Sequence, residues 1–173
     1  KDKNINIAVI EKNIKNIPGG VAYSKKNSKY GFFNNPLRIS NLEFIKWIKK
    51  KKNIIRLIKF IEQNPSYDLK SWLLKNLDFK FKRINKFREI YFPRLIYSFF
   101  LEEKIIKTLK LASKKKIMIK FYQGNITNIK RKNKLFFSSS NNMIEFKTTI
   151  DNNKLHFSKK NKKIKSISSF KAI

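Results

Sequence analysis

The chain has 173 residues, 41% of them hydrophobic and 14% aromatic, which is enough to bury a core and argues against a disordered chain. Its formal net charge is +31, from 42 Lys and Arg against 11 Asp and Glu. There is no cysteine, which excludes disulfides, thiolate catalysis and Cys-based zinc sites, and the single His156 leaves no histidine set for a metal cluster or a hydrolytic triad.

The charge invites a nucleic-acid partner. Yet only six of the basic residues are Arg, at 38, 56, 83, 88, 94 and 131, and Arg is the residue suited to bidentate phosphate and base recognition. The excess is Lys, accompanied by Asn, Ile and Phe, whose codons are rich in A and T. A base-composition bias therefore accounts for the charge too, and a solvated lysine surface is placed ahead of a nucleic-acid face. Even the most apolar stretch, YFPRLIYSFFLEEK, is interrupted by Arg94 and Glu102, short of the ~18 to 20 residues of a membrane span. A soluble, cytoplasmic protein of one or two small units is expected.

In chain order, residues 5–10 predict a buried strand ending at the acidic Glu11. The stretch from Glu11 to Pro36 then holds Gly19, Gly20 and Gly31, three of the four glycines. Strand, terminal carboxylate and glycine-containing loop form a ligand-binding arrangement in open α/β sheets. Ser40 with Glu43 reads as a capping box and predicts a helix with Leu42, Ile45 and Ile48 on one face, Phe44 and Trp47 flanking it. Residues 54–61 predict a second helix closed by Asn64-Pro65-Ser66, and residues 69–77 a third. Residues 78–89 interleave Phe with Lys and Arg. They either stack and hold single-stranded nucleic acid or divide between core and solvent, and the second reading is preferred.

The longest helix is predicted from Tyr91-Phe92-Pro93-Arg94 to about residue 113, with Pro93 in its first turn and Leu95, Phe99, Glu102 and Ile106 stepping along one face. Arg94 stands at the end of the dipole that disfavours a cation. It calls for a partner: a phosphate or carboxylate ligand, or Glu89 at the surface. After Lys116 the hydrophobic period becomes two, and residues 117–122, 126–129, 135–138, 143–148 and 155–157 read as short strands, with an Asp-Asn-Asn turn before the last. His156 reads as a structural residue of that strand. Strand, loop, helices, long helix, strand and meander make an α/β pattern with an antiparallel insert. The strand close behind Lys1 and the apolar residues up to Ile173 lead us to expect a fragment.

Spaced through this pattern are Gly20-Val21-Ala22-Tyr23-Ser24, Phe32-Phe33-Asn34-Asn35-Pro36, Arg38-Ile39-Ser40, Phe44, Trp47, Phe92-Pro93-Arg94, Tyr97 and Leu101. In that order they resemble the FAD-NAD(P)-binding domain family, a branch of the two-dinucleotide-binding flavoproteins, over roughly the first three quarters of the chain. The resemblance implies a partial Rossmann-like domain in residues 1–130, with a helical insert at about 40–90 and a truncated β-meander of the same domain in 131–173. It implies an FAD-dependent oxidoreductase using NAD(P)H and a small-molecule substrate that the sequence does not name. Glu11 would accept from the adenosine ribose hydroxyls; Gly19 and Gly20 would let the loop pass close to FAD; Asn34 and Pro36 would lie on the flavin side. Arg94 would oppose cofactor phosphate or adenine, and Ile126 would lie on the strand that meets the adenine edge. No catalytic residue and no metal ligand are assigned. The family's glycine-rich pyrophosphate turn, G-x-G-x-x-G, and its later Ala-Thr-Gly segment have no counterpart in the sequence. Two other readings stand beside this one: a basic RNA-binding or ribosome-associated protein, and a domain that keeps the flavoprotein fold without redox activity.

Overall fold

A computed structural model describes residues 5–24, 31–64, 66–78, 83–84, 89–132, 135–164 and 167–171, with side chains at all of these except 83–84, 126–132, 135–142, 161–164 and 167–171. The first apolar run forms β1 (Ile5–Glu11). After it come the one-turn helix α1 (Gly20–Tyr23), then α2 (Leu42–Ile48), α3 (Lys51–Gln63), α4 (Tyr67–Asn76) and the short pair β2 (Leu77–Asp78) and β3 (Arg83–Ile84). The long α5 (Arg94–Lys114) leads into β4 (Ile117–Lys132), β5 (Leu135–Asp151), β6 (Lys154–Ile164) and β7 (Ile167–Lys171). Two compact units result: a helical unit, Pro18–Leu101, and a sheet unit made of Lys1–Ile17 with Glu102–Ile173.

In the sheet unit the strand order is β1-β4-β5-β6, with β7 also paired to β5. β1 is parallel to β4, Ile5 beside Ile117 and Glu11 beside Gln123, and every later pairing is antiparallel. A parallel pair cannot be joined by a tight turn, and helices α1 to α5 lie on the crossover between these two strands. The mixed α/β class, the helical insert and the antiparallel meander agree with the sequence reading. Residues 130 and 131 both lie in β4, so the two stretches divided there share one sheet.

The meander differs in one respect. Residues 117–122 and 126–129 form a single strand, as do 135–138 and 143–148. The interruptions read as strand ends are absorbed as register shifts at Gln123/Asn125 and Ile126/Asn128, irregularities that bend a ladder without ending it. At the first of these Gly124 leaves room for the fully buried Met143, whose Cγ would sit 2.6 Å from any Cβ placed there. The Asp-Asn-Asn turn forms as read. Asp151 pairs with Lys154 across Asn152 and Asn153, both with positive φ, the geometry of a two-residue type I′ hairpin.

The helical unit is built around aromatic residues. Ile54, Leu57 and Ile61 bury one face of α3, and Leu69, Trp72 and Leu73 that of α4. They meet Phe44, Trp47, Phe92, Leu95, Ile96, Phe99 and Phe100 in one continuous core. Helix α2 is capped differently from the reading above. Its cap is Asn41, whose Oδ1 accepts from the N–H groups of Glu43 at 2.7 Å and Phe44 at 3.4 Å, while Ser40 closes the preceding 3-10 turn, Leu37–Ile39. Adjacent Ser and Asn are both good caps, and the turn that began at Pro36 takes up the serine. At the other end of α2, Asn53 donates its Nδ2–H to the Trp47 carbonyl at 2.6 Å. Pro93 lies one residue before α5, bridged to Phe32. Most of the basic aromatic segment at 78–89 lies outside the described residues.

Candidate functional site

Within the helical unit one cavity of about 290 Å³ is lined by Tyr23, Phe33, Asn34, Asn35, Ile39, Ser40, Asn41 and Tyr97. Every one of these except Asn41 stands in the motif residues singled out above. Tyr23, Phe33 and Tyr97 meet edge to face, with ring centroids 5.0 to 5.9 Å apart, and Phe44 packs on both Phe33 and Tyr97 from the core side. Such tilted pairs are the favoured geometry of aromatic rings. Asn34 and Asn35 are exposed and bring amide groups to the same cavity.

Local sequence explains how these groups are held. Gly19 has φ +108°, and a Cβ on it would lie 2.5 Å from the Tyr23 carbonyl oxygen, so only glycine permits the turn that starts α1 and sets Tyr23. Gly20 also has positive φ (+62°), but nothing lies within 4 Å of a Cβ there. Pro36 is buried and precedes the 3-10 turn that carries Ile39 into the lining. The segment from Gly31 to Leu37 is strapped to the approach to α5 by Phe33 N–H to Phe92 O at 2.9 Å, Leu37 N–H to Ile90 O at 3.0 Å and Arg94 N–H to Gly31 O at 2.7 Å.

Arg94 completes the strap. Its Nε donates to the Phe32 carbonyl at 2.6 Å and its Nη2 to Asn34 Oδ1 at 2.8 Å. The loop thus supplies the oxygen partners that a cation at a helix start requires, while Glu89 faces Arg38 at 3.8 Å. Burial raises the Tyr97 phenol above its usual value of 10, with the neighbouring Tyr23 adding to the effect.

Comparison with protein-family profiles, curated proteins and solved structures finds no match for this chain.

Of the residues named from sequence, Asn34 and Arg94 touch each other, and Gly19, Gly20 and Pro36 hold the segments that line the same cavity. Glu11 and Ile126 belong to the sheet unit. Glu11 ends β1 half-buried and its Oε1 accepts from Asn13 N–H at 3.2 Å; its register partner Gln123 accepts from Ile14 N–H at 3.2 Å. Ile126 lies three residues further along β4, opposite Ser140. The sequence reading gave no role to Tyr23 and Tyr97 beyond membership of the motif. Tyr97 carried a signal: it is a hydroxyl-bearing ring among Leu95, Ile96, Phe99, Phe100 and Leu101 near the start of α5. A larger cavity, about 500 Å³, is lined by Trp72, Tyr91, Asp68, Lys75 and Glu89 among others, and holds none of the named site residues. Among the described residues no cluster of His, Asp and Glu could hold a metal ion, and no helix is long and apolar enough to cross a membrane.

Proposed function

We propose that this chain is part of an FAD-dependent, NAD(P)-linked oxidoreductase and that the cavity of the helical unit receives the flavin ring. The observation that supports this reading is convergence: residues separated by up to 74 positions, from Tyr23 to Tyr97, were grouped by resemblance to a flavoprotein family and line one cavity. Its volume is at the low end of the roughly 300–1,000 Å³ of ligand sites, suited to one ring system and too small for a whole dinucleotide.

The residues fit FAD in part. Three aromatic rings and exposed amides suit the flavin end; in the sheet unit, taken by itself, the half-buried Glu11 carboxylate at the end of β1 is of the kind that accepts from ribose hydroxyls. No glycine-rich pyrophosphate turn is present among the 173 residues. Bound FAD supplies hydride and electron transfer; the protein supplies position, exclusion of water and electrostatics. In this chain Tyr23, Phe33 and Tyr97 would wall the ring, Asn34 would donate to its carbonyl edge, and Gly19 and Pro36 would keep those groups in place. A nicotinamide nucleotide and a small-molecule substrate complete the proposal, as does a cytoplasmic location.

The test is the visible spectrum of the purified protein after a high-salt wash and addition of FAD. Bands at about 370 and about 450 nm that stay with the protein through gel filtration are expected. Protein that stays colourless overturns the reading. The +31 charge would then carry the second reading, a basic RNA-binding or ribosome-associated protein, whose affinity must fall steeply with salt.

A further inference from the structure

The side chain of Arg94 spends its hydrogen bonds on one loop. Nε and Nη2 reach Phe32 O and Asn34 Oδ1, and the aliphatic stem lies so close to Gly31 that a Cβ there would be 3.3 Å from Cδ. A guanidinium only donates. The Asn34 atom that faces it at 2.8 Å is therefore the amide oxygen, and this fixes which way the carboxamide is turned. Its NH₂ group has no protein acceptor among the described residues. Asn34 also lines the cavity walled by Tyr23, Phe33 and Tyr97.

A charged donor on the oxygen of a carboxamide polarises the group and makes its N–H a stronger donor. The arrangement is a ring-sized, aromatic-walled cavity in which Asn34, like the cap Asn41 whose Oδ1 is held by backbone N–H groups, is an oriented amide donor, and the ligand it suits is a planar heteroaromatic ring with a carbonyl acceptor on its edge. We propose that Arg94 is a positioning residue: it holds Asn34 so that the amide NH₂ is presented to such a ring, and it acts through Asn34 rather than by opposing a phosphate. This rests on the flavin reading for its ligand, and it replaces the role that the resemblance implied for Arg94.

Riboflavin separates the two roles, because it carries the ring carbonyls and no phosphate. Quenching of its fluorescence would be titrated with the full chain and with N34A, N34D, R94M, R94K and the N34A/R94M double variant. N34D is the sharpest: an ionised Asp still accepts from Arg94 but has no NH₂ to donate. N34D and N34A should each weaken riboflavin binding about tenfold. R94M should do the same, and the double variant should lose no more than either single one, since one contact is being removed twice. R94K should not restore binding, because a point charge cannot reproduce the two-donor fork.

Unchanged riboflavin affinity in N34D or R94M, or independent losses that multiply in the double variant, would overturn the positioning role. The exposed Asn34 variants leave the core untouched and carry the test should R94M fail to fold. If the unaltered chain ignores riboflavin, the flavin reading falls by itself. The positioning role is then read from the Asn34 side-chain amide resonances of ¹⁵N-labelled protein: a pair that R94M shifts sustains it, and a pair that does not move overturns it.

Discussion

The two units bury their apolar residues in different ways. In the helical unit Phe44, Phe92, Leu37, Ile48, Leu57, Ile61, Leu69 and Ile96 are all within 1% of complete burial, and they belong to one core. Among the described side chains of the sheet unit Phe121 and Met143 are equally buried, and both units leave large apolar residues exposed, Leu42, Tyr67 and Leu74 in the helical unit and Ile5, Ile7 and Met118 in the sheet unit. Close packing around a continuous aromatic core fixes side chains, and among the described residues that buried cluster lies in the helical unit. A cavity bounded by that core can keep the positions of its rings, which is why the candidate site belongs there rather than on the sheet.

The largest expected effect tests this contrast. Phe44→Ala removes a ring that touches Phe33, Trp47, Tyr97 and Phe100 and should cost about 3–5 kcal/mol in denaturant unfolding. Phe121→Ala removes a ring packed on Phe157 beside a partly open face. It should cost nearer about 2 kcal/mol, because water can enter the space. Equal losses would break the comparison.

Next in size is a pair of glycines. Gly19→Ala combines a left-handed φ with the 2.5 Å approach to the Tyr23 carbonyl, and should cost about 2 kcal/mol or more. Gly20→Ala meets only the backbone penalty, about 1 kcal/mol. If thermal melts rank these two the other way, Gly19 does not set Tyr23.

Caps give a smaller effect. Asn41→Ala should lower stability by about 1 kcal/mol and Ser40→Ala by less. The reverse ranking would restore the Ser40–Glu43 capping box.

The smallest effect is one of pH. The folded Tyr97 phenol titrates above 10, first because it is buried and second because Tyr23 adjoins it. Its contribution to stability is therefore complete below pH 10 and is lost as pH rises from there through the folded value, since the unfolded chain ionises first. Tyr97→Phe should remove this alkaline loss, seen as the difference between the two proteins' unfolding curves above pH 10. Identical curves would mean that the phenol is no more buried in the folded chain than in the unfolded one.

How much of this was legible in the sequence follows from the range of the forces involved. Helices α3 and α4 and the buried step Leu95, Phe99, Glu102, Ile106 on α5 could be read because the period of 3.6 is written in adjacent turns. The hairpin at Asn152 and Asn153 could be read for the same local reason. Asn41 could not be chosen over Ser40, because the decision rests with the turn that Pro36 starts. The long β4 could not be seen either: its continuity depends on Gly124 making room for Met143, 19 residues away. For the site, the motif residues of the cavity wall were legible as a group. What they do to one another was not. Arg94 needed a partner by dipole reasoning alone, but that the partner is the Phe32–Asn34 loop depends on a contact spanning 60 residues.

The most direct test of the account is a crystal of the protein soaked with riboflavin. The account predicts planar density between Tyr23 and Tyr97, with a ring carbonyl within hydrogen-bond distance of Asn34 Nδ2 and the Arg94–Asn34 contact intact. Density elsewhere on the chain, or a ring in this cavity with Asn34 turned away from it, would contradict it.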